Sequence, residues 1–252
     1  MSPAGPCVGD GGRVRLPSGK TLVDYDMDGG RVLVGRGDPE IDAARLIDGP
    51  VPREPFTAVA HLLGRDVGEV TAIAAAVSDA HGGLNVSDES VLFGRVTPPA
   101  GWDLRVIGPS AAAGAEFAAL LAREPALLAG VERPDPPEPA AVAAAEVVLR
   151  LAGPLVVHQL SGRAERLAFG IAEVAAGAGL HVEAVQPGGW LELGFTEADR
   201  ARGVPARFQA EMRSRGFLVP AAGPWWPCLA HDYFTIEHTV DAAAAAMAVA
   251  AL

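Results

Sequence analysis

Nine consecutive residues, Val131 to Pro139, read VERPDPPEP and hold four prolines. Such a stretch cannot continue a helix, because each ring removes a backbone N–H and clashes with the carbonyl four residues earlier. It is the strongest internal boundary in the chain, and a new unit is expected to start at residue 140. With 252 residues, there is length for two small domains, each with its own core. Beyond the boundary, 140–151 reads as a helix. A second helix follows, in which Leu160, Leu167, Ile171 and Val174 fall at steps of seven, four and three, one apolar face of a 3.6-residue period. His181–Val185 and Trp190–Leu193, split by Gln186-Pro187-Gly188-Gly189, read as a hairpin. The Arg-rich 197–215 segment reads as a solvated helix and 217–219 as a short strand. Asp232 is placed as the N-cap of a terminal helix.

Ahead of the boundary, the Gly/Pro-rich first dozen residues read as a loose arm. Val14 and Leu16 alternate with arginines, Pro17-Ser18-Gly19-Lys20 supplies turn chemistry, and Leu22, Val23 and Tyr25 resume the apolar run. Together they predict a β-hairpin, with a third short strand at 31–34. Helices are expected at 54–63, 67–80 and 110–123, and short strands at 84–86 and 104–107. The His81-Gly82-Gly83 run stops the helix before it.

Composition removes several functions. The formal net charge is −11, and the twenty basic residues are nineteen arginines and one lysine, Lys20. With no basic run to track a phosphate backbone, nucleic acid is excluded as a partner. Cys7 and Cys228 stand at opposite ends in no metal-binding spacing, and no charged and apolar leader opens the chain, so a reducing, cytoplasmic setting is expected. The apolar tail 242–252 is too short for a bilayer span of roughly 20 residues, and no membrane partner is expected. None of the Gly-Gly pairs links a strand to a helix in dinucleotide-binding spacing. His231 and His238 are seven apart, where a helical zinc pair needs three or four, so no metal is expected.

Several runs match a known pattern. LPSGKTLVDYDMDGGRVLVGRGDPEI (16–41), SDAHGGLNVSDESVLFGRV (78–96) and GFLVPAAGPWWPCLAHDYFTIEHTVDAA (216–243) resemble, in order, the N-terminal hairpin and glycine-rich segment, the Asp-Glu strand, and the last strand and helix of the class-III aminotransferases of PLP fold type I. Within them the likeness is greatest to the glutamate-1-semialdehyde aminomutases. The resemblance implies an α/β fold class with an α+β C-terminal domain: a shortened PLP-dependent transferase fold type I, most of its cofactor-binding domain missing. The implied organisation is a flexible arm (1–12), an N-terminal strand segment (13–50), a remnant of the large cofactor domain (51–130) and a small C-terminal αβ domain (140–252).

The resemblance places Asp88-Glu89 on the family's Asp-Glu pair, whose aspartate keeps the pyridine nitrogen of the cofactor protonated. The Schiff-base lysine position falls on Pro109, which has no amine, and Lys20 stands in a turn. No glycine-rich turn into a helix is read in 42–80 to cradle a phosphate, and the later phosphate contact is replaced by the proline segment. No cofactor is therefore expected, nor a working transaminase.

Two functions follow. In one, the old cleft serves a PLP-independent enzyme in specialised metabolism, isomerising, cyclising or eliminating on a small-molecule substrate. Asp88, Asp28 and His231 are then the catalytic candidates, and Asp26, Arg31, Trp225 and Trp226 the substrate-binding ones. In the other, the chain is a non-catalytic subunit or scaffold that dimerises with itself or with a full-length aminotransferase. Each candidate has a structural reading beside this: Asp88 as a strand-end acid or partner of Arg95, His231 as a cap, Arg31 as partner of Asp28. Of the two tryptophans, one is expected to pack and the other to face a cleft or partner.

Overall fold

The computed structural model describes residues 8–30, 32–44, 46, 60–89, 100–108, 117–151, 154–220 and 223–252. The chain divides into two compact units. One comprises 1–30, 34–37 and 155–252, and the other 31–33 and 38–154.

The first unit is built on a four-stranded sheet in the order β1 (Val8–Asp10), β2 (Arg13–Arg15), β3 (Thr21–Asp24), β10 (Phe217–Leu218). The β2–β3 hairpin is antiparallel as the alternation predicts, with Val14 opposite Leu22. Residues 8–10, expected in the loose arm, instead form β1 and pair with β2. The expected strand at 31–34 is absent over its described residues, and Arg36 bridges to Gly11 instead. β10 joins β3 in parallel, Phe217 beside Val23, so the N-terminal hairpin belongs to the same sheet as the C-terminal strand.

Four helices complete this unit: α4 (Pro154–Gly177), α5 (Glu197–Ala201), α6 (Val204–Ser214) and α7 (Tyr233–Ala250). The 197–215 segment is thus two helices, broken at Gly203 with φ 74°. β8 (Val182–Val185) and β9 (Glu192–Phe195) form the expected hairpin. Leu167 and Ile171 of α4 meet Phe208, Met212, Trp225, Ile236 and Met247 in one core. Asp232 caps α7 by accepting the Thr235 N–H at 2.8 Å. Hydrogen bonding from the Thr235 side chain, and then from its N–H, holds the Asp232 carboxyl below the usual carboxylate range.

The second unit holds α1 (Pro39–Ala44), β4 (Ala60–Gly64), α2 (Val67–Ala80), β5 (Val86–Glu89), β6 (Leu104–Ile107), β7 (Ala118–Ala122) and α3 (Pro139–Leu151). Its sheet order is β4-β7-β6-β5, with only β5–β6 parallel. Two expected helices are corrected here. Ala60–Gly64 is a strand where 54–63 was read as helix, and Ala118–Ala122 is a strand where 110–123 was. Residues 54–59 and 110–116 lie outside the described residues.

The reason is burial on both faces. Leu104, Val106, Leu120 and Ala122 pack with Val70, Ala74 and Val77 of α2 on one side. Ile107, Ala119 and Leu121 pack with Ala141, Val142 and Ala145 of α3 on the other. A strand covered twice reads as an unbroken apolar run, which periodicity cannot distinguish from a buried helix. The same packing corrects the boundary. α3 lies beyond the proline segment yet belongs to the sheet before it, and the units part at 154/155.

Candidate functional site

In the first unit the candidate residues converge on the segment after β3. Met27, Asp28, Gly29 and Gly30 have φ of 44°, 56°, 66° and 86°, one turn of left-handed helix closed by the Gly30 N–H donating to the Asp26 carbonyl at 3.0 Å. For the two L-residues this costs about 1–2 kcal/mol each.

Asp24 offsets the strain. Its buried carboxylate takes the Asp26 and Met27 N–H groups on Oδ1, at 2.9 and 3.1 Å. On Oδ2 it takes Nη2 and Nε of Arg36, at 2.7 and 3.2 Å. Asp26 is half-buried and Asp28 exposed. Burial, and then the neighbouring Asp24 carboxylate, push the Asp26 carboxyl above its usual range. Arg31, named with them from the sequence, lies outside the described residues.

Both tryptophans are buried, at 2% and 6% exposure, which corrects the expectation that one faces outward. Successive side chains of an extended segment point to opposite sides, and here both sides are covered. Trp225 exchanges two backbone hydrogen bonds with Leu191, stacks on Phe208 with ring centroids 6.1 Å apart, and packs against the tilted Tyr25 ring at 5.6 Å. The Trp226 N–H donates to the Tyr25 carbonyl, and its ring lies 5.6 Å from Trp190 and directly over Gly30.

His231 is fully buried. Its Nδ1 accepts the Cys228 N–H at 3.0 Å and its Nε2 reaches the Gly12 carbonyl at 3.0 Å, a pattern that requires the neutral imidazole with its proton on Nε2. Its face stacks on Tyr25 at 4.5 Å. The Tyr25 hydroxyl bonds Thr239 Oγ1 at 2.8 Å and is held protonated by burial. The geometry makes His231 a tie between the N-terminal strands and the 228–231 loop.

Asp88 lies in the second unit, on β5 opposite Val106, and is exposed. Its neighbour Glu89 points to the other face and is the buried acid of the pair, at 3% exposure. Glu89 receives Nε and Nη2 of Arg105 at 2.7 and 2.6 Å and the Ser87 hydroxyl at 2.9 Å. The sequence carries no signal for this pair, because Arg105 reaches it only through the β5–β6 pairing.

This unit also has a surface groove of about 700 Å3, lined by Glu69, Ile73 and Val77 of α2 and by Leu127, Val131 and Arg133. That volume is within the range of small-molecule pockets. Among the described residues, no three His, Cys, Asp or Glu side chains are grouped to hold a metal ion, and no single helix is long and apolar enough to cross a membrane.

Comparison of this backbone with solved structures gives consistent partners. One is the FumI protein of Sphingopyxis sp. MTA144 in its PLP internal aldimine form, with TM-score 0.79 and 15% identity, covering 96% of this chain and 87% of that one. An omega-transaminase from Sphaerobacter thermophilus aligns with TM-score 0.79 and 14% identity, over 96% and 90%. N-acetylornithine aminotransferase from Stenotrophomonas maltophilia K279a aligns with TM-score 0.69 and 16% identity, over 97% and 96%. The chain has the fold of the PLP-dependent transaminases. It is a shortened form of that fold, as the sequence resemblance implies. No protein-family model and no curated protein matches the sequence.

Against this aminotransferase fold two groups bear on cofactor binding. Lys20, the one lysine, donates from Nζ to the carbonyls of Arg213 and Ser214, both at 3.0 Å, where α6 ends and exposed carbonyls favour a cation. A strand-to-helix turn of the type that binds phosphate does exist, from β4 through Arg65-Asp66 into α2, and the sequence reading of 42–80 missed it because β4 was taken as helix. Its N-terminus is already capped: Asp66 accepts the Gly68 N–H at 2.6 Å, and Glu69 sits in the first turn. Two carboxylates there repel an anion, so these residues do not fit the cofactor's phosphate. Pro109 lies outside the described residues.

Proposed function

We propose that this chain is an aminotransferase-fold protein without PLP chemistry that acts as a non-catalytic assembly subunit, binding a second copy of itself or a full-length aminotransferase. The observation that carries this reading is the placement of Lys20. The single side-chain amine of the chain is held on the C-terminal carbonyls of α6. The locked His231, the two packed tryptophans and the acid-capped start of α2 support the same reading, since each ties up a group that chemistry would need available.

The test is to incubate the purified protein with PLP, record the visible spectrum before and after borohydride, and map any pyridoxyl adduct by mass spectrometry. No stoichiometric adduct is expected. A pyridoxyl group trapped at Lys20 in every chain overturns the proposal.

The PLP-independent enzyme retains one observation in its favour. Asp26 combines half-burial, a raised carboxyl and a strained left-handed turn, the kind of environment that tunes an acid or base toward neutral pH. Under that reading, turnover by the protein disappears in Asp26→Asn while the fold persists. Under the subunit reading, Asp26→Asn changes stability alone.

A further inference from the structure

The groove of the second unit, about 700 Å3 in volume, is used by none of the roles described above. Its lining along α2 extends from Glu69 to Ala80, which at 1.5 Å per residue is a length of about 16 Å. Alanine stands at 72, 76 and 80, each position exposed and one helical turn from the next, so the helix leaves open the space that larger side chains would fill. Ile73, Val77, Leu127 and Val131 make the rest of the channel apolar.

The charge of the lining is lopsided. Glu69, Glu132 and Asp135 bring three carboxylates, and Arg133 brings one guanidinium. None of these four side chains enters an ion pair or a hydrogen bond among the described residues. His81, the remaining ionisable group of the lining, donates from Nδ1 to the Val77 carbonyl at 2.8 Å. Two of the carboxylates share one end of the groove. The Arg65 N–H donates to the Asp135 carbonyl at 2.8 Å, and Gly64 lies against both Val70 and Pro134, which brings their neighbours Glu69 and Asp135 together at the start of α2. One carboxylate is enough to neutralise Arg133, so an excess of two negative charges stands beside an apolar channel.

We propose that this groove binds a small organic cation, a protonated amine carried on an apolar chain or ring. Its nitrogen sits at the Glu69 and Asp135 end and its apolar part runs along Ile73, Ala76 and Ala80. The lining selects this class. A carboxylate or phosphate meets the surplus of negative charge, a neutral solute gains burial alone, and a polyamine leaves the apolar channel unused. The groove lies within the second unit, so the inference stands apart from the assembly reading above.

The experiment is calorimetric titration of the full chain with octylammonium, beside butylammonium, hexylammonium, octanol and octanoate. Octylammonium is expected to saturate one site with a Kd of about 1 mM or tighter. Each added CH2 in the amine series should tighten binding about two- to fourfold. Octanol should bind at least threefold and octanoate at least tenfold more weakly than octylammonium. Ala76→Trp fills the channel from an exposed helix position, and should weaken octylammonium at least tenfold with an unchanged circular dichroism spectrum. Glu69→Gln combined with Asp135→Asn should abolish the preference for octylammonium over octanol, and Arg133→Gln should strengthen octylammonium. Uptake that does not saturate, octanoate bound as tightly as octylammonium, or binding indifferent to Ala76→Trp overturns the proposal. If Ala76→Trp fails to fold, the Glu69→Gln, Asp135→Asn protein decides alone, and an undiminished preference for the cation overturns the site.

Discussion

Substituting Glu89 by Gln is the most informative perturbation of the second unit. The change keeps the shape and removes the charge. In the folded chain Arg105 offers Nε and Nη2 to the two carboxylate oxygens. A glutamine can accept one of those bonds, but its amide nitrogen faces the other donor as a second donor. The Arg105 guanidinium, 17% exposed, then sits beside a 3% exposed partner of no charge. Breaking a buried pair by removing one charge costs about 3–5 kcal/mol, and the residual exposure of Arg105 places the expected loss near the lower end, about 3 kcal/mol.

At roughly 2–4 °C per kcal/mol for a chain of this size, the melting temperature should fall by about 6–12 °C. Asp88→Asn, one residue away on an exposed position, should cost at most about 1 kcal/mol, as an exposed charge does. Replacing Glu89 and Arg105 together by Met should recover most of the loss, because an apolar pair of similar volume carries no desolvation penalty. Calorimetry of the four proteins decides it. A Glu89→Gln protein as stable as the parent, or an Asp88→Asn protein that loses as much, refutes the assignment of Glu89 as the structural acid.

Asp26→Asn should raise the melting temperature at neutral pH, and the gain should vanish on acidification. The folded carboxyl is raised above its unfolded value, so its ionised form opposes folding at neutral pH, and that penalty fades as pH falls through the carboxylate range; a gain that grows toward low pH contradicts the sign. Gly30→Ala should destabilise by about 2 kcal/mol or more, through its φ of 86° and a Cβ 2.7 Å from the Trp226 ring. Gly19→Ala, at φ 84° with open space around it, should show the backbone cost alone, and equal losses at the two sites would exclude the Trp226 contact as a cause.

Features legible in the sequence were those encoded locally. The Asp232 cap, the α4 stripe of Leu160, Leu167 and Ile171, and the β2–β3 hairpin each depend on residues a few positions apart, and the resemblance pointed to the fold. Features that depend on what covers a segment were not legible. The run Ala118–Ala122 has the composition of a helix, and only α2 and α3 closing over both faces make it a strand. Trp225-Trp226 looked half-exposed because nothing local shows Leu191, Trp190 and Gly30 arriving from both sides. Asp88 drew attention through its motif, while its neighbour Glu89 holds the buried bonds, a distinction set by strand register and by Arg105 sixteen residues on.

The parallel pairing of β3 with β10 has a consequence for how the chain is made. Lys20 and its acceptor Ser214 are 194 residues apart, and Val23 waits on Phe217. At roughly 5–20 residues per second, a ribosome delivers the partner about 10–40 s after the hairpin has emerged. In that interval 38–154, which is continuous in the chain, can close around its own sheet. The nascent β1–β3 ribbon meanwhile presents an open edge with Leu22 and Tyr25 uncovered, the state most exposed to wrong strand pairing. The last fifty residues therefore decide when the first thirty are safe.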